Sequence, residues 1–94
     1  MAASRPQRVT VRYSGNVQGV GFRYTANSIA RGHHVTGYVR NLPDGSVELV
    51  AEGEPQATDS FLNAVRERLG DHIRDEHRDT NPATGEYAAF EIRH

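Results

Sequence analysis

The chain has 94 residues, 11 basic against 12 acidic side chains, a net charge of −1 and no cysteine. That length makes one domain, and a domain this small buries only about 60–65% of its unfolded surface. The balanced charge argues against a dedicated nucleic-acid or anionic-membrane surface, and the missing cysteines exclude disulfides and thiol chemistry.

Residues Met1 to Gln7 hold Ser4 and Pro6 and no apolar run. They are expected to form a mobile tail, not a signal peptide, ahead of a single domain over 8–94. No run approaches transmembrane length, so a soluble, cytoplasmic protein with no membrane partner is expected. Val9, Val11 and Tyr13 alternate with Thr10, Arg12 and Ser14, the period of a half-buried strand. A glycine-rich segment follows, Gly15 to Gly21. From Phe22 to Arg31, the apolar residues Phe22, Ala26, Ile29 and Ala30 share one helical face, and Gly32 is the expected stop.

Val35, Gly37 and Val39 share a face of a second strand that runs to Asn41. Leu42-Pro43-Asp44-Gly45 has turn chemistry. Val47, Leu49 and Ala51 then face one way and Glu48, Val50 and Glu52 the other, completing an antiparallel hairpin. Gly53 to Ala57 reads as a loop. Thr58 or Asp59 is expected to cap a second helix, Ser60 to Leu69, with Phe61, Leu62, Val65 and Leu69 as its apolar stripe. Asp71 to Thr80 is highly charged, with Ile73 its one aliphatic residue, and it leaves the existence of an edge strand open. Tyr87 to Arg93 is expected to close the domain as a strand.

This order fits an α+β, ferredoxin-like β-α-β-β-α-β sandwich with an additional terminal strand. Both helices are expected on one face of a mostly antiparallel sheet.

The segment with the most chemistry is Gly15-Asn16-Val17-Gln18-Gly19-Val20-Gly21-Phe22-Arg23. A glycine loop between a strand and a helix N-terminus gathers backbone N–H groups where the helix dipole favours an anion. Arg23 lies in the first helical turn, and helical side chains lean back toward the N-terminus, so its guanidinium should cover the loop. A planar charged fork suits a phosphate bidentately. Neither the Walker spacing nor the dinucleotide fingerprint is present.

Tyr13 to Arg23 resembles the first signature of the acylphosphatase family, G-x-V-Q-G-V-G-F-R. Gly37-Tyr38-Val39-Arg40-Asn41-Leu42-Pro43-Asp44-Gly45-Ser46-Val47-Glu48 resembles its second, G-[YFW]-V-x-N-x-x-D-G-x-V-E. The resemblance runs from about Val9 to the C-terminus and implies the same fold and the hydrolysis of an acyl phosphate. It makes Arg23 the phosphate-binding arginine and Asn41 the catalytic asparagine. The loop residues Gln18, Gly19, Val20, Gly21 and Phe22 would bind the phosphoryl oxygens. The chain departs from the family in its fourth strand, which usually shows more apolar alternation.

Arg40 should point away from Asn41 by strand alternation, and Arg12, Arg40 and Arg93 are expected to be solvated. The five histidines show no metal-ligand spacing, so no metal and no cofactor are expected. Two other functions share the pattern. One is a non-enzymatic or accessory module of the same fold. The other is an RNA-binding domain, which needs aromatics on its central strands, whereas Ser46 to Glu52 holds none. A monomeric enzyme acting on a small acyl phosphate, with no nucleic-acid partner, is the leading expectation; which acyl phosphate stays open.

Overall fold

A computed structural model of the chain describes residues 5–94. Residues 1–4 of the expected tail lie outside it, and Gln7 already opens the first strand. The elements in order are β1 (Gln7–Gly15), α1 (Phe22–Ala30), β2 (Thr36–Asn41), β3 (Val47–Gly53), α2 (Pro55–Leu69), a 3-10 turn (Gly70–His72), β4 (Ile73–Pro82) and β5 (Phe90–Arg93). The sheet runs β4-β1-β3-β2-β5. The first four strands pair antiparallel, and β5 adds to β2 in parallel. This is the ferredoxin-like layout with one further strand.

The alternation in the sequence translates directly into the two faces of this sheet. Val9, Val11, Tyr13, Val39, Val47, Leu49 and Ala51 are buried on the face that meets the helices. Phe22, Ala26 and Ala30 of α1 and Phe61, Leu62, Val65 and Leu69 of α2 complete that core. Among the described residues no helix is long and apolar enough to cross a membrane.

Three boundaries differ from the sequence reading. The second helix starts at Pro55, not Ser60, with Glu54 as its N-cap and no side-chain capping bond. Proline is well placed in a first turn because that N–H has no helical partner in any case. Thr58 is not a cap; its hydroxyl bonds back to the carbonyl of Pro55 and accepts from Gln7 Nε2. The charged segment does form a strand, from Ile73 onward. β4 pairs with β1 from Gln7↔Pro82 to Gly15↔Ile73, with a bulge between Ser14 and Gly15. Backbone pairing carries such an edge, while its charged side chains discourage further strand addition.

The last strand is shorter than expected, Phe90–Arg93, because residues 83–89 serve as a strap across the sheet face away from the helices. That strap explains why Val50 and Glu52, on the nominally polar face of β3, are only 1% and 4% exposed. Glu52 is its anchor: its carboxylate accepts from the Thr84 and Gly85 amides (2.9 and 3.0 Å) and the Thr84 hydroxyl (2.9 Å). Burial pushes the Glu52 pKa up, but these three hydrogen bonds outweigh it and hold the carboxyl below its ordinary value. A depressed folded-state pKa gives stability that is present above the unfolded value, about 4.3, and is lost as pH falls through the folded value. Glu52→Gln should therefore be less stable at neutral pH by about 1–3 kcal/mol, with a smaller loss of stability on acidification than the wild type. Urea titrations at neutral and acid pH check both; parallel pH profiles would show that Glu52 does not anchor the strap through its charge.

Candidate active site

The glycine loop leaves β1 at Gly15 and enters α1 through Gly21. Gly21 is the N-cap in the left-handed region (φ 76°), and Gly19 is left-handed too (φ 79°). Side-chain-bearing residues adopt that conformation at a cost, so the loop's path depends on glycine at these two positions. Gly21 has no capping side chain, and the first internal amide of the helix is Thr25 N–H, donating to the Gly21 carbonyl at 2.9 Å. Among the described residues, no backbone amide from 16 to 24 donates a hydrogen bond within the protein. A run of free N–H groups at the positive end of a helix dipole is a place for an anion.

Asn41 comes to this loop from the end of β2. Strand alternation puts Arg40 on the strap face, where its Nε meets Glu48 Oε1 at 2.7 Å, and turns Asn41 toward the loop. Gln18 ties the two parts together. Its Nε2 donates to the carbonyls of Leu42 and Ser46, each at 2.8 Å, stapling the glycine loop to the β2–β3 turn. Within that turn Asp44 Oδ1 accepts from the Ser46 hydroxyl and from its amide at 2.9 Å. Those bonds, the hydroxyl's first, hold the Asp44 carboxyl below its usual value.

A cavity of about 270 Å³ lies between these parts, lined by Val17, Gly19, Gly21, Phe22, Arg23, Tyr24 and Asn41. Five of the seven residues picked out in the sequence therefore meet here. Gln18 and Val20 do not line it: the Gln18 side chain is engaged in the turn, and Val20 packs against the core. A larger concavity of about 610 Å³ lies at the far end of α1, beside Arg31, His33 and His34, and includes neither the loop nor Asn41.

Arg23 is held differently from the sequence expectation. One terminal nitrogen donates to the Arg93 carbonyl (3.0 Å) and lies 3.3 Å from His94 Nδ1. The end of β5 thus steadies the guanidinium. Arg93 itself is not simply solvated, because its guanidinium stacks on the Tyr38 ring at 4.0 Å on the strap face. No local signal could have revealed the bond from Arg23 to the Arg93 carbonyl, since 70 positions separate the two residues. Val17 and Tyr24, also missed, lie inside or next to the first motif and could have been read from it. Among the described residues, no cluster of three or more histidine and acidic side chains forms a metal site.

The fold and cavity define a two-layer α+β domain with a glycine loop and an arginine facing a strand-end amide. The acylphosphatase family model matches residues 9–92. An acylphosphatase of Methanospirillum hungatei is 43% identical over 89 residues, covering 93% of this chain and 97% of that one. The crystal structure of acylphosphatase from Bacillus subtilis superposes with a TM-score of 0.84 at 30% identity, covering 94% of this chain and 99% of that one. An acylphosphatase structure from Coxiella burnetii gives 0.76 at 29% identity, covering 99% and 100%. The chain belongs to the acylphosphatase family of hydrolases.

Proposed function

We propose that this chain hydrolyses acyl phosphates to a carboxylate and inorganic phosphate, using the loop, Arg23 and Asn41 and no metal ion. The observation that carries the reading is the convergence of Arg23, Asn41 and the free loop amides on one small cavity.

In this mechanism the amides from Gln18 to Arg23 hold the phosphoryl oxygens. With one nitrogen of Arg23 bound to the Arg93 carbonyl, its remaining N–H groups are free to clamp two of those oxygens. The Asn41 amide both accepts and donates, so it orients a water toward phosphorus without ionising. The water oxygen bonds to phosphorus, the bond from phosphorus to the acyl oxygen breaks, and its electron pair leaves on the carboxylate. A carboxylate is a good leaving group, so no strong general acid is needed, and the phosphoryl group takes the water's proton. Catalysis is then positioning plus electrostatic stabilisation, as is usual in phosphoryl transfer.

The test is phosphate release from acetyl phosphate. Turnover separates an enzyme from a binding module of the same fold. Inorganic phosphate, competing for the loop and Arg23, should raise the apparent KM at about millimolar concentration without lowering kcat. An unchanged KM in that range would mean that product and substrate do not share the loop.

A further inference from the structure

Four tyrosines occur in the chain, and three of them are engaged within the fold. Tyr13 is buried against Phe22, Tyr38 donates to Glu48, and the Tyr87 hydroxyl accepts from Arg8. Tyr24 is the exception. Its side chain makes no hydrogen bond, ring pair or cation–π contact among the described residues. It is 75% exposed, the one large hydrophobic side chain left so open among them. A single exposed ring is ordinary on a protein surface. This ring, however, lines the same cavity as Arg23 and Asn41.

The position follows from the helix. Residue 24 lies in the first turn of α1, and side chains there lean back toward the N-terminus, so the ring is carried toward the loop. The cavity's other large apolar side chains, Val17 and Phe22, are only 1% and 2% exposed and offer little surface to a ligand. A phosphoryl group held at the loop amides must direct its acyl substituent outward, toward solvent. At that lip the Tyr24 ring is the apolar surface available.

We propose that Tyr24 is the specificity-determining residue of this site, its ring face covering the acyl group and favouring planar, apolar acyl phosphates over short ones. The proposal rests on the acyl phosphate reading above. It assigns Tyr24 to the part of the substrate that Arg23 and Asn41 do not touch. A flat ring can stack on an aryl group, whereas a methyl group covers only a fraction of it.

The experiment measures kcat/KM for benzoyl phosphate and for acetyl phosphate in the wild type, Tyr24→Phe and Tyr24→Ala, with inhibition by inorganic phosphate alongside. Tyr24→Ala should lower the benzoyl-to-acetyl ratio by about 2- to 12-fold, the range of an aromatic pair. Tyr24→Phe should keep the wild-type ratio, and phosphate inhibition should be similar in all three. An unchanged ratio in Tyr24→Ala overturns the proposal. So does an equal fall in Tyr24→Phe, which would assign the effect to the hydroxyl, or a matching loss of phosphate inhibition, which would assign it to the loop. A folded wild type that hydrolyses neither compound overturns the acyl phosphate reading itself and this proposal with it. The wild-type arm alone tells that failure from the others.

Discussion

Arg23→Lys should lose on the order of a hundredfold or more in kcat/KM for an acyl phosphate. Hydrogen bonds to charged groups contribute about 1.5–3 kcal/mol each, and each 1.4 kcal/mol is about tenfold. Lysine keeps the charge but has a single nitrogen. It cannot bond the Arg93 carbonyl and clamp two phosphoryl oxygens with the same fixed geometry. Binding of inorganic phosphate should weaken as well, because the same fork serves the ground state. Arg23 is only partly exposed, and its hydrogen bond to Arg93 lies at the surface, so the fold should tolerate the change with a loss of about 1 kcal/mol. A folded variant with near-wild-type kcat/KM would falsify the clamp.

Asn41→Ala should fail in a different way. If Asn41 orients the water, the bound substrate barely needs it, and its loss appears in kcat while KM stays close to wild type. One positioning hydrogen bond in a pre-organised site is worth about 3 kcal/mol, or roughly a hundredfold in rate. Asn41 is exposed, and its side chain makes no hydrogen bond among the described residues. Its backbone stays paired with Val47 in the ladder, so stability should move by only about 0.5 kcal/mol. Thermal melting confirms folding before the kinetics are compared. Should kcat hold, or phosphate inhibition collapse as in Arg23→Lys, the water-orienting role belongs to another group.

These two variants also separate the contributions of the two signatures. In the proposed mechanism Arg23 acts on phosphate in both ground and transition states, and Asn41 only on the attacking water. Gln18 links them physically, since its amide holds the loop against the β2–β3 turn. The Gln18 side chain is thus occupied in the scaffold, which leaves its backbone amide as the group proposed to meet the phosphoryl oxygens.

The core and the general layout could be read from the chain because burial follows periodicity. Val9, Val11 and Tyr13 alternate, as do Val47, Leu49 and Ala51, and every one of them is buried. The loop and turn were legible for the same local reason: glycine and proline report backbone conformation at their own position. The start of α2 is not legible locally, because Pro55 suits a loop and a first helical turn equally well. β4 was obscure because its stability comes from pairing with β1, not from its own apolar residues.

By itself, then, the sequence determined the two core-facing stripes, the glycine loop between β1 and α1 and the placement of Arg23 at a helix N-terminus. Each depends on residues within a few positions of one another. Only the tertiary structure decided what closes the far side of the sheet and what holds the arginine. The strap anchored by Glu52 joins residues 32 positions apart, and the bond from Arg23 to the Arg93 carbonyl spans 70. Such contacts depend on which strand ends next to which, and β5 reaches α1 because it pairs in parallel with β2. No local propensity encodes that pairing; it is set when the sheet assembles and the chain's last strand finds its edge.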